Sequence, residues 1–144
     1  MIEQLSHSFG FLSGKLSQEM EQRLAERIQP YGISTRQLGL LFFVSHHPGM
    51  SQKTIGERIR VDRTTMVAHV DHLEDKKFLH RVRSERDRRI TSLYLTSEGE
   101  KLLEKGWVFL TETEQEVLST FTKEEQDVLK KLLQKWWNEK LKRG

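Results

Sequence analysis

Leu5, Phe9, Leu12, Leu16, Met20, Leu24 and Ile28 recur every three or four positions, a spacing that lines one helix face and predicts a single long helix over residues 3–29. Pro30 and Gly32 stop it. A stripe this narrow and this long suits packing against another long helix. A second helix opens at Ser34, where Ser34 and Gln37 fit a capping box and Ile33 can staple onto Leu38. Leu38, Leu41 and Phe42 carry it to the stop His47-Pro48-Gly49.

Two short helices follow. Ser51 caps residues 52–59, with Met50 set to staple onto Ile55, and Asp62 caps residues 63–77, with Val61 set to staple onto Met66. After Phe78 the pattern changes: residues 79–84 and 90–95 are rich in β-branched and aromatic side chains and flank the polar run Glu85-Arg86-Asp87-Arg88-Arg89, which predicts a β-hairpin. Thr96 or Ser97 then caps a long helix, and Ser97 with Glu100 fits a capping box. A further box, Thr122 with Glu125, opens a last helix carrying Val128, Leu129, Leu132, Leu133, Trp136, Trp137 and Leu141. The expected fold is mainly α with a small β-hairpin wing. Its parts are an N-terminal dimerisation helix (1–32), a winged helix-turn-helix lobe (33–96) and long C-terminal helices completing the dimer lobe (97–144).

Composition narrows the function. Hydrophobic residues are 35% and charged residues 31% of the 144, the balance of a globular chain rather than a disordered or membrane one. No apolar run approaches the roughly 20 residues that span a bilayer, and the first fifteen residues do not read as a secretion signal. No membrane partner and a cytoplasmic location are therefore expected. With no cysteine, thiolate nucleophiles and disulfides are excluded. The net charge of +3 is a weak hint, but its distribution is informative. Between Ser51 and Ser92 eleven basic residues face seven acidic ones, so the positive field is confined to the two short helices and the hairpin.

Those elements in that order make a winged helix-turn-helix, whose second short helix enters the major groove of duplex DNA. With Met66, Val70 and Leu73 facing the core, the exposed side presents Arg63, Thr64, Thr65, Ala68, His69 and His72, chemistries suited to reading base edges. Ser51, Gln52 and Lys53 begin the supporting helix, where free backbone N–H groups favour phosphate. At the hairpin tip Arg86, Arg88 and Arg89 suit a narrow minor groove, and Asp87, which repels phosphate, is expected to pair with a neighbouring arginine and fix its direction.

From Gly32 to Leu103 the chain resembles the multiple-antibiotic-resistance regulator (MarR) family. It matches that family's G-[LI]-[ST]-x-x-Q opening at Gly32–Gln37, its vDRTT helix start at Val61–Thr65, its hLE helix end at His72–Glu74, and its D-x-R…LT-x-x-G wing signature through Asp87, Arg89, Leu95, Thr96 and Gly99. The resemblance is strong over about half the chain. It implies a homodimer with interlocking terminal helices, a pseudo-palindromic operator, Arg89 in the minor groove and Asp87 bracing the wing. Repression relieved by a small phenolic or anionic effector is implied as well. Wall residues for that effector would be Phe9, Phe11, Leu12, Tyr31, Phe42, Phe43 and His46, all of which also suit ordinary core packing. One departure stands out: the family usually has glycine where this chain has Lys77, and a left-handed lysine there costs about 1 kcal/mol.

Other classes fit less well. His69 and His72 have a chelating spacing and His46-His47 is near in sequence, but the first pair lies on the expected DNA face and no cysteine is available, so no metal and no cofactor are expected. The sequence has no phosphate-cradling glycine loop, nucleophile elbow or metallohydrolase motif, so an enzyme is not expected. The remaining alternative is a winged domain that serves only protein–protein contact, which leaves its arginine wing without a purpose.

Overall fold

The computed structural model describes residues 2–143; the expected outer limits of the terminal domains, residues 1 and 144, lie outside the described residues. In chain order the elements are α1 (Ile2–Leu5), α2 (Phe9–Ile28), a 3-10 turn (Gln29–Tyr31), α3 (Thr35–His46), α4 (Gln52–Arg58), α5 (Arg63–Asp75), β1 (Leu79–Arg83), β2 (Thr91–Leu95), α6 (Ser97–Val117) and α7 (Lys123–Arg143).

The chain forms two compact units. One comprises Glu21–Thr111, and the other comprises the chain up to Met20 with the chain from Glu112 onward. The division by compactness therefore runs through α2 and α6 themselves. In the Glu21–Thr111 unit a single core gathers Ile28 and Ile33, Leu38, Leu41 and Val44 of α3, Ile55 of α4, Met66, Val70 and Leu73 of α5, Leu79 and Leu93 of the hairpin, and Leu102 and Leu103 of α6. α6 packs closely on α3, because a Cβ on Gly106 would lie 2.9 Å from Leu38 Cδ1. In the second unit no side chain of α7 is fully buried.

The predicted long first helix is broken. Ser6 turns its hydroxyl onto the Glu3 carbonyl, and the Ser8 hydroxyl accepts from the Phe11 N–H at 3.4 Å, so α2 begins anew with Ser8 as its cap. Serine side chains compete with the helix for backbone groups, and two of them around His7 suffice to interrupt a marginal first turn. Of the two candidate caps for α6, the threonine serves. Thr96, not Ser97, caps it: Thr96 Oγ1 accepts from the Gly99 N–H at 3.0 Å, and Ser97 is the first helical residue, so the Ser97–Glu100 box does not form. The boxes at Ser34–Gln37 and Thr122–Glu125 form as expected.

β1 and β2 pair antiparallel from Leu79↔Leu95 to Arg83↔Thr91, each strand one residue shorter than the sequence pattern suggests. The segment before α4 adds to the hairpin: the Gly49 N–H donates to the Leu93 carbonyl, the Leu93 N–H donates to Met50, and Ser51 bridges Ser92. This seam ties the start of α4 to the base of the wing. Gly49 is required there, since its φ is 83° and any Cβ would press on the Tyr94 hydroxyl.

Candidate nucleic-acid interface

α4 and α5 are set by paired caps. Ser51 Oγ accepts from the Thr54 N–H at 3.1 Å, and Asp62 accepts from both the Thr65 N–H and the Thr65 hydroxyl at 2.8 Å. Those bonds to Thr65, the backbone one foremost, hold the Asp62 carboxyl below its ordinary range, so the cap stays charged at neutral pH. Both helices end alike. Val61 N–H reaches back to Gly56 and Arg60 N–H to Glu57; Phe78 N–H reaches back to Leu73 and Lys77 N–H to Glu74. These are Schellman ends, and each puts a left-handed residue just past the helix, Arg60 at φ 56° and Lys77 at φ 66°. The turn after α5 thus keeps the left-handed geometry without the glycine. A Cβ on Gly56 would lie 3.3 Å from the Val61 carbonyl, which shows how closely the turn folds onto α4.

The wing signature has a structural reading. Thr96 Oγ1 donates to the Lys77 carbonyl at 2.6 Å, and the Thr96 N–H donates to Phe78 at 3.2 Å. Any Cβ on Gly99 would overlap the Phe78 carbonyl. The threonine and glycine therefore clamp the end of the hairpin against the end of α5.

α5 buries Met66, Val70 and Leu73, and the face opposite them is centred on Thr64, Ala68 and Asp71. Arg63, Thr64 and Ala68 are exposed. Thr65 is half-buried, with its hydroxyl engaged by Asp62. His69 and His72 lie on the flank nearest α3. Gln37 Nε2 donates to His69 Nδ1 at 3.2 Å, and His72 Nε2 donates to the Gly32 carbonyl at 2.6 Å, so both rings carry their proton on Nε2 when neutral. Asp71, which with Glu74 and Asp75 reads from the sequence as part of a solvated helix end, is instead paired with Arg81 of β1. Arg81 also reaches the Val67 carbonyl on the other flank, and the sequence gives no sign of that role for Val67 or Arg81. The seven-residue spacing of Thr64 and Asp71 was a visible signal for the place of Asp71 on the outward face.

At the wing tip Asp87 takes Arg89 in a two-point grip, with Nε to Oδ1 at 3.0 Å and Nη2 to Oδ2 at 3.1 Å, and also accepts the Arg89 N–H. The arginine side chain nevertheless stays 90% exposed. Its guanidinium beside Asp87 lowers that carboxyl's pKa, so the brace is fully charged above the ordinary carboxylate range and is lost only as acid titrates the lowered value. Arg86 and Arg88 have no carboxylate partner among the described residues.

A cleft of about 590 Å³ joins these groups. Ser51, Gln52, Lys53 and Glu57 of the α4 region, Arg63, Met66 and Val67 of α5, and Arg89, Ile90 and Thr91 at the wing base line it. It brings Lys53, Arg63 and Arg89 to one opening against the single acid Glu57. Ser51 spends its hydroxyl on Thr54, and Gln52 turns its carbonyl to Arg81, which leaves the Gln52 amide nitrogen as a donor. Arg86 and Arg88 lie beyond this cleft.

The expected effector-wall residues fall in different units. Tyr31, Phe42, Phe43 and His46 belong to the Glu21–Thr111 unit, where Tyr31 meets Phe109 at 5.9 Å, Phe42 meets Trp107 edge-on at 6.5 Å, and Phe43 meets His47 at 4.4 Å. His46 Nδ1 donates to the Phe42 carbonyl at 2.9 Å. Phe9, Phe11 and Leu12 belong to the other unit and are exposed.

Helix, tight turn, second helix and a hairpin with a cationic tip, locked by one seam and one clamp, define a winged helix-turn-helix protein. The chain belongs to the MarR family: residues 31–90 match the family's model, and the chain is 33% identical over 134 residues to the HTH-type transcriptional regulator BilQ of Clostridium symbiosum, covering 91% of each. Among solved structures it is similar to the S. aureus MepR–DNA complex, with a TM-score of 0.75 and 26% identity over 92% of this chain and 98% of that one. It is also similar to the PcaV regulator of Streptomyces coelicolor in complex with its natural ligand, with a TM-score of 0.70 and 27% identity over 93% and 94%. No helix of the described residues is long and apolar enough to cross a membrane.

Proposed function

We propose that this protein is a homodimeric transcriptional regulator that binds a pseudo-palindromic duplex operator in a sequence-specific manner, represses from it, and is released by a small effector. The observation that carries the reading is the convergence of Lys53, Arg63 and Arg89 on one open cleft beside the outward face of α5. Three cations at the junction of two helices and a wing suit the negative potential of a duplex groove and its bordering phosphates. Arg63, Thr64 and Ala68 reach base edges directly. Thr65, His69 and His72 first exchange a hydrogen bond to their own protein, so they read bases only when the duplex offers a better partner. Ser51, Gln52 and Lys53 set the phosphate register, and Arg89, aimed by Asp87, enters the minor groove with Arg86 and Arg88 beside it.

A duplex-binding function puts the protein in the compartment that holds the DNA, the cytoplasm of a bacterial cell. The similarity to MepR, solved with DNA, and to PcaV, solved with its natural ligand, supports operator binding and effector release, with Tyr31, Phe42, Phe43 and His46 as the effector's aromatic surroundings. Fluorescence anisotropy on duplexes selected from the source genome tests the reading at several salt concentrations. Affinity should fall steeply with salt, and Arg89→Ala should weaken binding and reduce the slope of log K against log salt by about one. If the wild-type chain selects no duplex and its affinity is indifferent to salt, the protein-interaction alternative replaces this reading.

A further inference from the structure

Arg81 is a cation in the middle of the basic segment, yet it is turned inward, with its side chain 23% exposed. From β1 it reaches both α4 and α5 at once. Nη1 lies 2.7 Å from Asp71 Oδ1 and 3.1 Å from Glu74 Oε1, Nε donates to Gln52 Oε1 at 3.1 Å, and Nη2 donates to the Val67 carbonyl at 3.5 Å. The Arg81 N–H donates to the other Glu74 oxygen at 3.2 Å. Three of the five guanidinium protons are hydrogen-bonded within the protein, and Nη1 also forms the ion pair with Asp71. Asp71, meanwhile, shares the outward face of α5 with Thr64 and Ala68, where a bare carboxylate would oppose phosphate.

We infer that Arg81 is a positioning residue for operator recognition: it fixes the recognition helix to the wing and to α4, and it masks the Asp71 and Glu74 carboxylates from the duplex. Its fork geometry matters as much as its charge, because a lysine offers a point charge and cannot span Gln52, Asp71 and Glu74 together. Through Gln52 the same guanidinium orients the amide donor that faces the cleft.

The inference rests on the duplex-binding reading, and the two fail differently. If the full-length wild-type chain enriches no sequence from a random duplex pool, the reading itself has failed. Given an enriched duplex, affinities for it and for a random-sequence duplex are measured across salt concentrations for wild type, Arg81→Lys, Arg81→Gln, and Arg81→Gln combined with Asp71→Asn and Glu74→Gln. Arg81→Lys should lower the ratio of specific to non-specific affinity about tenfold, the order of a coupling within one hydrogen-bond network, with the salt slope unchanged. Arg81→Gln should lose more, and adding the two amide substitutions should recover part of that loss, because the repulsion is removed. A slope reduced by about one with the ratio intact would make Arg81 a phosphate contact and overturn the inference. So would a triple variant no better than Arg81→Gln. Arg81→Lys retains the charge and the aliphatic stem, so its ratio remains a test even if Arg81→Gln fails to fold.

Discussion

Lys77 holds a left-handed conformation that an L-residue with a Cβ adopts at a penalty, and it does so at the hinge between α5 and β1. The Schellman bonds from Lys77 to Glu74 and from Phe78 to Leu73 require that backbone whatever side chain is present. Lys77→Gly should therefore raise unfolding stability by about 0.5 kcal/mol in urea denaturation, net of the extra freedom glycine gives the unfolded chain. Unchanged or lowered stability would mean that the lysine stem stabilises the turn through packing. Gly99 stands at the opposite extreme: no side chain fits there, because the Phe78 carbonyl already occupies the space. The two positions face each other across the Thr96 clamp, one tolerating strain and one admitting none. At Asp87 and Arg89 a charge that would oppose DNA becomes useful because two bonds to one carboxylate restrict an otherwise mobile arginine.

Among elements, local chemistry decides the starts of helices and distant chemistry decides what those helices present. Ser34, Ser51, Asp62 and Thr122 were legible as caps because a cap and the N–H it accepts from lie three residues apart. The choice of Thr96 over Ser97 was not legible, since it turns on a bond from Thr96 Oγ1 to the Lys77 carbonyl nineteen residues away. The rotation of α5 was legible only in part. Its core stripe follows from spacing, but the capture of His69 by Gln37 and of His72 by Gly32 depends on how α5 lies against α3. The role of Arg81 was hidden for the same reason, as Gln52 is twenty-nine residues distant from it. Thr96→Val, which keeps the shape and removes the hydroxyl, should destabilise the fold by about 1–2 kcal/mol, combining a lost cap with a lost tertiary hydrogen bond. Thermal melts should register this as a lower Tm. Amide exchange should quicken first at Gly99, whose N–H loses its acceptor. An exchange rate at Gly99 that stays at the wild-type value would remove Thr96 from that role.

At the scale of the molecule, α7 carries the argument for a second copy. Val128, Leu132 and Trp136 stand four residues apart, as do Leu133, Trp137 and Leu141, so they form two adjacent columns along a 21-residue helix. All six are exposed, at 46% to 61%, and no residue of the helix is fully buried, Gln126 and Leu129 being half-buried. An apolar strip of that length on a free monomer invites association, because each Å² of apolar surface removed from water contributes about 25 cal/mol. A two-fold dimer would also present two winged units to one duplex, with half-sites about 10 base pairs apart. The combined variant Leu132→Glu and Trp136→Glu should sediment at the mass of one chain, whereas the wild type at micromolar concentration should sediment at twice that mass. The variant's Glu21–Thr111 unit, whose core contains neither residue, should keep its cooperative melt. Binding to a duplex with two half-sites should then fall to the level of a single half-site, a loss of about 10²–10⁴ in affinity if the two lobes act as linked binders. A wild-type chain that sediments as a monomer, or a double variant that still pairs, would release α7 from this role and leave the proposed two-fold operator without a physical cause.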